Sequence, residues 1–294
     1  MSLTIDAHHH LWDLSVTPQP WLNDSMGPIN RSFVHDDLVD AIDGRVDASI
    51  IVQTASSEAE TLLMLETAAA SPVISGVVGW VDLTADDVAQ RIAALVASPN
   101  GSLLVGIRHQ THDEPDLNWL GRDDVRRGIA SVGAAGLVFE LLLRPEHLEV
   151  AAAVVADLPD VAFVLDHLAK PNIAEGSLQS WEAELQVLAS EPNVTCKVSG
   201  LVTEADWQHW AVGDLQPFVD VAVAAFGPER IMFGSDWPVC LLAADYSTVL
   251  GAAETLLGSY SAADRAAMFG ENAQRIYGLS ISPPANAQKE DGSC

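Results

Sequence analysis

Ile5-Asp6-Ala7-His8-His9-His10-Leu11-Trp12 carries three consecutive imidazoles inside an apolar frame. In an extended segment side chains alternate between faces, so Asp6, His8 and His10 share one face and Ala7 and His9 share the other. A His-x-His pair at a strand end brings two nitrogen ligands to one point, and neutral imidazole is the commonest metal ligand in proteins. The apolar, strand-like surroundings set the run apart from an affinity tag, which would lie in a Gly/Ser leader. The pair alone is a weak signal, and its meaning depends on the rest of the chain.

Seven further strand-like runs follow, over 48–53, 75–81, 103–109, 136–143, 161–167, 194–200 and 231–236. Helical patterns separate them. They cover 36–43, 57–70, a segment capped by Thr84 that stops before Pro99, 123–134, a segment opened by Pro145, 178–189 and 215–226. Two closing helices are expected over 246–257 and 262–277. Eight strands alternating with helices imply parallel strands joined by right-handed crossovers, so the fold class is α/β and the architecture a (β/α)8 TIM barrel with extra C-terminal helices. An open doubly wound sheet is the alternative, disfavoured because no Gly-x-Gly-x-x-Gly turn follows an early strand. One domain over 1–279 is expected. Residues 280–294, with paired prolines and small polar groups, read as a disordered tail.

Composition narrows the function classes. The chain has 294 residues, 49% of them apolar, enough for one large core. Its 14 basic against 41 acidic residues give a formal charge of −27, which opposes binding to nucleic acid or an anionic membrane. Cys196, Cys240 and Cys294 are too scattered for a disulfide framework or a zinc-binding Cys pair. No apolar run reaches membrane-spanning length, and no charged segment followed by an apolar stretch opens the sequence. A soluble cytoplasmic protein is the expectation; a homo-oligomer is left open.

In a barrel of this kind chemistry sits at the C-terminal ends of the strands. Those ends carry His8, His10, Gln53, Asp82, Arg108, His109, Glu140, His167, Lys197 and Asp236. His8, His10, His167 and Asp236 form a plausible ligand set for one divalent ion, zinc suiting such nitrogen and oxygen donors. Asp236 is equally suited to act as general base toward water. Arg108 and Lys197, two of few cations, suit a developing oxyanion or an anionic product. His109 and Glu140 join them as substrate contacts, and Trp12, Trp237 and Trp80 are candidate apolar walls. The loops 18–29, 110–118 and 203–213 are the expected seat of specificity, with Trp119, Trp207 and His209 as contacts there.

Five segments in order, Ile5 to Trp12, Val105-Gly106-Ile107-Arg108-His109, Leu165-Asp166-His167-Leu168-Ala169-Lys170-Pro171, Cys196-Lys197-Val198-Ser199-Gly200-Leu201 and Met232-Phe233-Gly234-Ser235-Asp236-Trp237-Pro238, resemble the amidohydrolase superfamily. They are most similar to its branch of sugar-acid lactonases, which act on substrates such as L-fucono- and L-rhamnono-lactone and sit alongside pyrone-dicarboxylate and sulfomuconolactone hydrolases. The resemblance implies a (β/α)8 hydrolase opening a small-molecule lactone, with His8, His10 and His167 at the metal or substrate position and Asp236 as base. Strand four ends in Arg108-His109 where many superfamily members carry a metal-bridging lysine, and strand five holds Glu140 where many carry a histidine. A single weakly held zinc, or none, therefore fits the resemblance better than a metal pair. Without metal, His8, His10, His167 and Arg108 would polarise the carbonyl. Amide hydrolysis or decarboxylation on the same scaffold, and a sugar-binding barrel without chemistry, are the competing functions.

Overall fold

The computed structural model describes residues 3–281. Eight parallel strands follow one another around the sheet in chain order: β1 Ile5–His9, β2 Ala48–Val52, β3 Ile74–Gly79, β4 Leu104–His109, β5 Val138–Leu141, β6 Phe163–Leu165, β7 Val194–Val198 and β8 Ile231–Phe233. β1 and β8 meet again at a seam. There the Asp236 amide donates to the His8 carbonyl at 2.8 Å, and the His10 amide to the Trp237 carbonyl at 2.6 Å. The result is the nearly closed α/β barrel that the alternation implied. Residues 282–294, most of the expected tail, lie outside the described residues.

Side-chain alternation sorts the strands into two apolar layers. Ile50, Val52, Val78, Val138, Val164 and Met232 pack inside the barrel. Ile51, Ile107, Phe139, Leu165 and Phe233 face outward onto the helices. Those helices are α1 His35–Ile42, α2 Glu58–Ala70, α3 Val88–Val96, α4 Asp123–Ala134, α5 Leu148–Asp157, α6 Gln179–Ala189, α7 Leu201–Glu204, α8 Val212–Phe226 and α9 Tyr246–Leu256. Two further short helices, Ala262–Ala266 and Asn272–Ile276, close the chain. Ala273 of the second and Tyr277 just after it join the interior cluster with Ile5 and Ala48 and plug the end of the barrel away from the strand tips. Gly270 permits this docking, because a β-carbon there would stand 2.2 Å from the Leu3 carbonyl oxygen.

Three local expectations need correction. Thr84 does not cap α3; it bonds Asp82 at 2.6 Å, and the helix starts after Asp87. β1 departs from strict alternation: a register shift between Asp6 and His9 leaves Ala7 in the interior cluster while His9 turns to Ser49 Oγ at 3.0 Å. Such an irregularity re-aims side chains next to a site. The sixth strand ends at Leu165, short of His167, and its continuation is a left-handed turn.

Candidate active site

The strand tips deliver their polar side chains to one buried point. His8 and His10 come from β1 and its exit, Arg108 from β4, His167 from the turn after β6, and Asp236 from the seam after β8; none is more than 4% exposed. His8 Nε2 lies 3.1 Å from His10 Nε2. Asp236 Oδ1 lies 3.4 Å from His10 Nε2, 3.7 Å from His8 Nε2 and 3.8 Å from His167 Nε2. Burial alone would push the Asp236 carboxyl up, but His167, His10 and His8 around it outweigh that and hold it below the usual carboxylate range. Asp236 is therefore an ionised carboxylate facing imidazoles.

The hydrogen bonds assign one imidazole proton, on His10. His10 Nδ1 lies 2.8 Å from the Val52 carbonyl, which only accepts, so in the neutral ring the proton is on Nδ1 and Nε2 holds a lone pair. Lys197 Nζ lies 3.1 Å from His8 Nδ1 and can only donate to it. His8 therefore faces a donor at each ring nitrogen, Lys197 at Nδ1 and Arg108 Nη1 at 3.2 Å from Nε2, with Asp166 Oδ1 an acceptor 3.3 Å from Nδ1.

Beneath the histidines lies a sealed ionic cluster. Lys197, fully buried, bonds Glu140 Oε1 at 2.7 Å and ion-pairs with Asp166 Oδ1 at 3.1 Å. Arg108 donates to Asp166 Oδ2 at 2.9 Å and to the Gln53 carbonyl, with Nη1 at 3.2 Å from His8 Nε2. Tyr277 closes the cluster from below through its hydroxyl on Glu140 Oε1. Burial, then the neighbouring Asp166, push Glu140 up to about 7 against the pull of Lys197 and Arg108. Burial likewise lowers His167 to about 4, so that ring is neutral near pH 7.

Two backbone devices aim the tips. His167, Leu168, Ala169 and Lys170 all have left-handed φ, 53°, 54°, 59° and 51°. Each such residue costs about 1–2 kcal/mol, so tertiary contacts must hold the turn. Trp181 Nε1 donates to the Leu168 carbonyl at 2.8 Å, and His167 Nδ1 lies 2.8 Å from Ser199 Oγ. Asp236 is also left-handed, at φ 57°. It is braced by Asp6, whose carboxylate accepts from the Ser235 amide at 2.8 Å, the Ser235 hydroxyl at 2.6 Å and the Tyr246 hydroxyl at 3.0 Å.

A cavity of about 470 Å³ opens above this floor, with His10, Arg108, His167 and Asp236 in its wall. The three long loops all reach it, contributing Trp21 and Met26, Gln110 and His112, and Thr203 and Trp207. Other expected substrate contacts lie elsewhere. Lys197 and Glu140 are in the sealed cluster below. Trp12, 3% exposed, packs edge-on against Trp21 and Phe33 and borders a separate groove beside α1 and α2. Trp237, also 3% exposed, packs against Phe33. His109 stacks on Trp119 at 4.0 Å and accepts from Trp80 Nε1, its other nitrogen on Glu114. Side chains of the wall that sequence reasoning missed include Arg144 and Lys170, which lie beyond the strand ends in loops.

The model of the amidohydrolase family matches residues 5–279. The chain belongs to this family. A Burkholderia multivorans protein named L-fucono-1,5-lactonase is 40% identical over 299 residues, covering 98% of this chain and 99% of that one. A second protein of that name, from Burkholderia ambifaria, is 34% identical, covering 94% and 96%. Among solved structures, an amidohydrolase from Burkholderia multivorans, obtained with bound zinc and separately with bound HEPES, superposes with a TM-score of 0.89 at 39% identity, over 95% of this chain and 100% of that one.

The family and its zinc-bound member raise the question of a metal here. His8, His10 and Asp236 present ligand atoms 3.1, 3.4 and 3.7 Å apart. Tetrahedral zinc with bonds of about 2.0–2.1 Å needs ligand atoms about 3.4 Å apart, so these three fit one ion. The fit has a condition. To offer Nε2, His8 must carry its proton on Nδ1, where Asp166 Oδ1 at 3.3 Å can accept it and where Lys197 now points a donor.

Proposed function

We propose that this amidohydrolase opens a sugar-acid lactone of the L-fucono type to its hydroxy acid, a carboxylic-ester hydrolysis. The observation that carries the reading is the ionised Asp236 carboxylate at the floor of a 470 Å³ cavity, ringed by His8, His10 and His167. The full-length likeness to two proteins named L-fucono-1,5-lactonase supports the choice of substrate.

In this reading Asp236 Oδ1 takes a proton from water as the water oxygen attacks the lactone carbonyl. The carbonyl oxygen gains negative charge, and His167 and the Arg108 guanidinium stabilise it from the same wall. When the ring C–O bond breaks, Asp236 returns its proton to the departing ring oxygen, which becomes a hydroxyl. The acid then loses a proton to solvent and leaves as a carboxylate. Lys197 and Glu140 act one layer back, holding the positions of His8 and of Arg108's partner Asp166. A divalent ion, zinc by donor chemistry, would be held by His8, His10 and Asp236 and would acidify water and polarise the carbonyl.

The cytoplasm is the compartment this reading assigns, since Cys196 and Cys240 are free thiols in the interior. No helix among the described residues is long and apolar enough to cross a membrane.

Proton release from a panel of aldonolactones tests the function. Wild type should release acid fastest from L-fucono-lactone, and Asp236→Asn should lose on the order of 10²–10⁴ of that rate with its fold intact. Release no faster than spontaneous hydrolysis on every lactone would overturn the reading.

A further inference from the structure

The cavity mouth holds positive charge that the floor chemistry leaves unused. In a chain of charge −27, three cations, Arg108, Arg144 and Lys170, line one cavity. Arg108 is committed to Asp166 and Gln53. Arg144 is different. Its amide donates to His147 Nδ1, but its exposed guanidinium has no partner among the described residues. Arg91, Arg122 and Arg126, also on the surface, each hold a carboxylate, at 2.7, 2.6 and 2.6 Å.

Lys170 stands at the end of the left-handed turn that carries His167, and donates to Glu204 at 3.0 Å, leaving further donors on its ammonium. His112 lies in the same wall, with Asp113 Oδ1 3.2 Å from its Nε2. Burial first, and then Lys170, Arg108 and Arg144, lower its pKa to about 2. The acids of the same lining are Asp113, Glu204, which holds Lys170, and Asp236 on the floor.

Ring opening creates a need for such a place. The neutral lactone becomes an anion whose carboxylate forms beside the ionised Asp236, where Arg108 already shares its charge with Asp166 and Lys197 is sealed below. Like charges repel, and the next cations outward are Lys170 and Arg144.

We propose that Arg144 and Lys170 form a carboxylate subsite at the cavity mouth that takes the hydroxy-acid product as it leaves Asp236. This rests on the lactonase reading and adds a product-binding role that the catalytic floor does not supply. A guanidinium–carboxylate pair is charge-assisted and bidentate, which suits Arg144 as the main contact.

The test uses full-length wild type, Arg144→Met and Arg144→Lys, with sodium L-fuconate as probe. In the proton-release assay, Arg144→Met should raise the inhibition constant of the aldonate about tenfold, the loss of one charge-assisted contact, and Arg144→Lys should recover part of it. KM for the neutral lactone should stay within about twofold. An unchanged inhibition constant, or a parallel rise in KM, overturns the subsite, the latter because Arg144 would be reading sugar hydroxyls common to both forms. A monolactone of an aldaric acid separates the other carboxylate source. If its kcat/KM falls in Arg144→Met more than that of the neutral lactone, the subsite serves a substrate carboxylate and the product assignment is overturned. Calorimetric titration of the aldonate requires no turnover. Binding that depends on Arg144 in a protein that hydrolyses no lactone would keep the carboxylate subsite and sink the lactonase reading.

Discussion

Gly200 and His167 pack so closely that a β-carbon at position 200 would stand 2.7 Å from His167 Nδ1 and 3.2 Å from Asp236 Oδ2. Gly200 also has φ +65°, a conformation an L side chain resists. Gly200→Ala must therefore move the His167 ring, the Asp236 carboxylate or both. We expect kcat to fall on the order of 10²-fold, the effect of displacing a reacting group by about an ångström, with about 1–2 kcal/mol of lost stability. Steady-state kinetics beside urea unfolding checks both, and an unchanged kcat would mean that the contact does not constrain the site.

The Lys197–Glu140 pair predicts a larger stability loss with no wall contact involved. Both side chains are fully buried at 2.7 Å, and Lys197 also balances Asp166. Lys197→Met leaves Glu140 without its cation beside Asp166, which keeps only Arg108, and breaking a buried pair in this way typically costs about 3–5 kcal/mol. Adding Glu140→Gln should recover part of the loss by removing one charge. Urea midpoints of the single and double variants decide, and a double variant no more stable than Lys197→Met would contradict the pairing.

Much of this was legible in the chain. Strand and helix periodicity announced the barrel, and the His-x-His pair, His167 and Asp236 stand together because barrel strands end on one rim. What periodicity cannot carry is depth along a strand and the path of a loop. Lys197 and Glu140 share the tip list with His10 and Asp236, yet their side chains lie under the floor, because β5 and β7 point them into the barrel interior. Trp12 and Trp237 went to packing around Phe33, since an indole is as useful to a core as to a wall. Arg144 and Lys170 were missed for the opposite reason: their place depends on loop geometry, including a four-residue left-handed turn that no pattern of apolar residues encodes.

Acid should destabilise the fold before it reaches most carboxylates. His9, His112 and His167 have folded pKa values lowered from 6.5 to about 3, 2 and 4, all chiefly by burial. Unfolding frees each to bind a proton below pH 6.5, so the stability they contribute is full above that pH and is lost as pH falls toward 4 and below. Glu140, raised from 4.5 to about 7, works in the other direction, its contribution present below pH 4.5 and lost as pH rises through 7. His8 and His109 are lowered in the same way and the depressed Asp166 and Asp236 act in the same direction, against Glu140 and the raised Asp6. Melting temperature should therefore fall from pH 6.5 to 4, with a shallower slope in His112→Gln; a flat profile in wild type would contradict the burial of neutral imidazoles.

Zinc retention can identify the third ligand. His8, His10 and Asp236 form one compact set, whereas His167 groups with His8 and Asp166, lies 3.8 Å from the Asp236 carboxylate and is oriented through Ser199. Removing the hydrogen-bond partner of a true histidine ligand typically weakens metal binding by about 10–100-fold. Ser199→Ala should therefore leave zinc affinity near wild type if His8 is the ligand, and weaken it if His167 is. His10→Asn and Asp236→Asn should each release the metal under either arrangement. Competition with a chromogenic chelator reads all three without relying on turnover. We expect Ser199→Ala to retain zinc while losing activity, because the same hydroxyl holds the imidazole that faces the substrate; zinc lost in Ser199→Ala would move the ion toward His167.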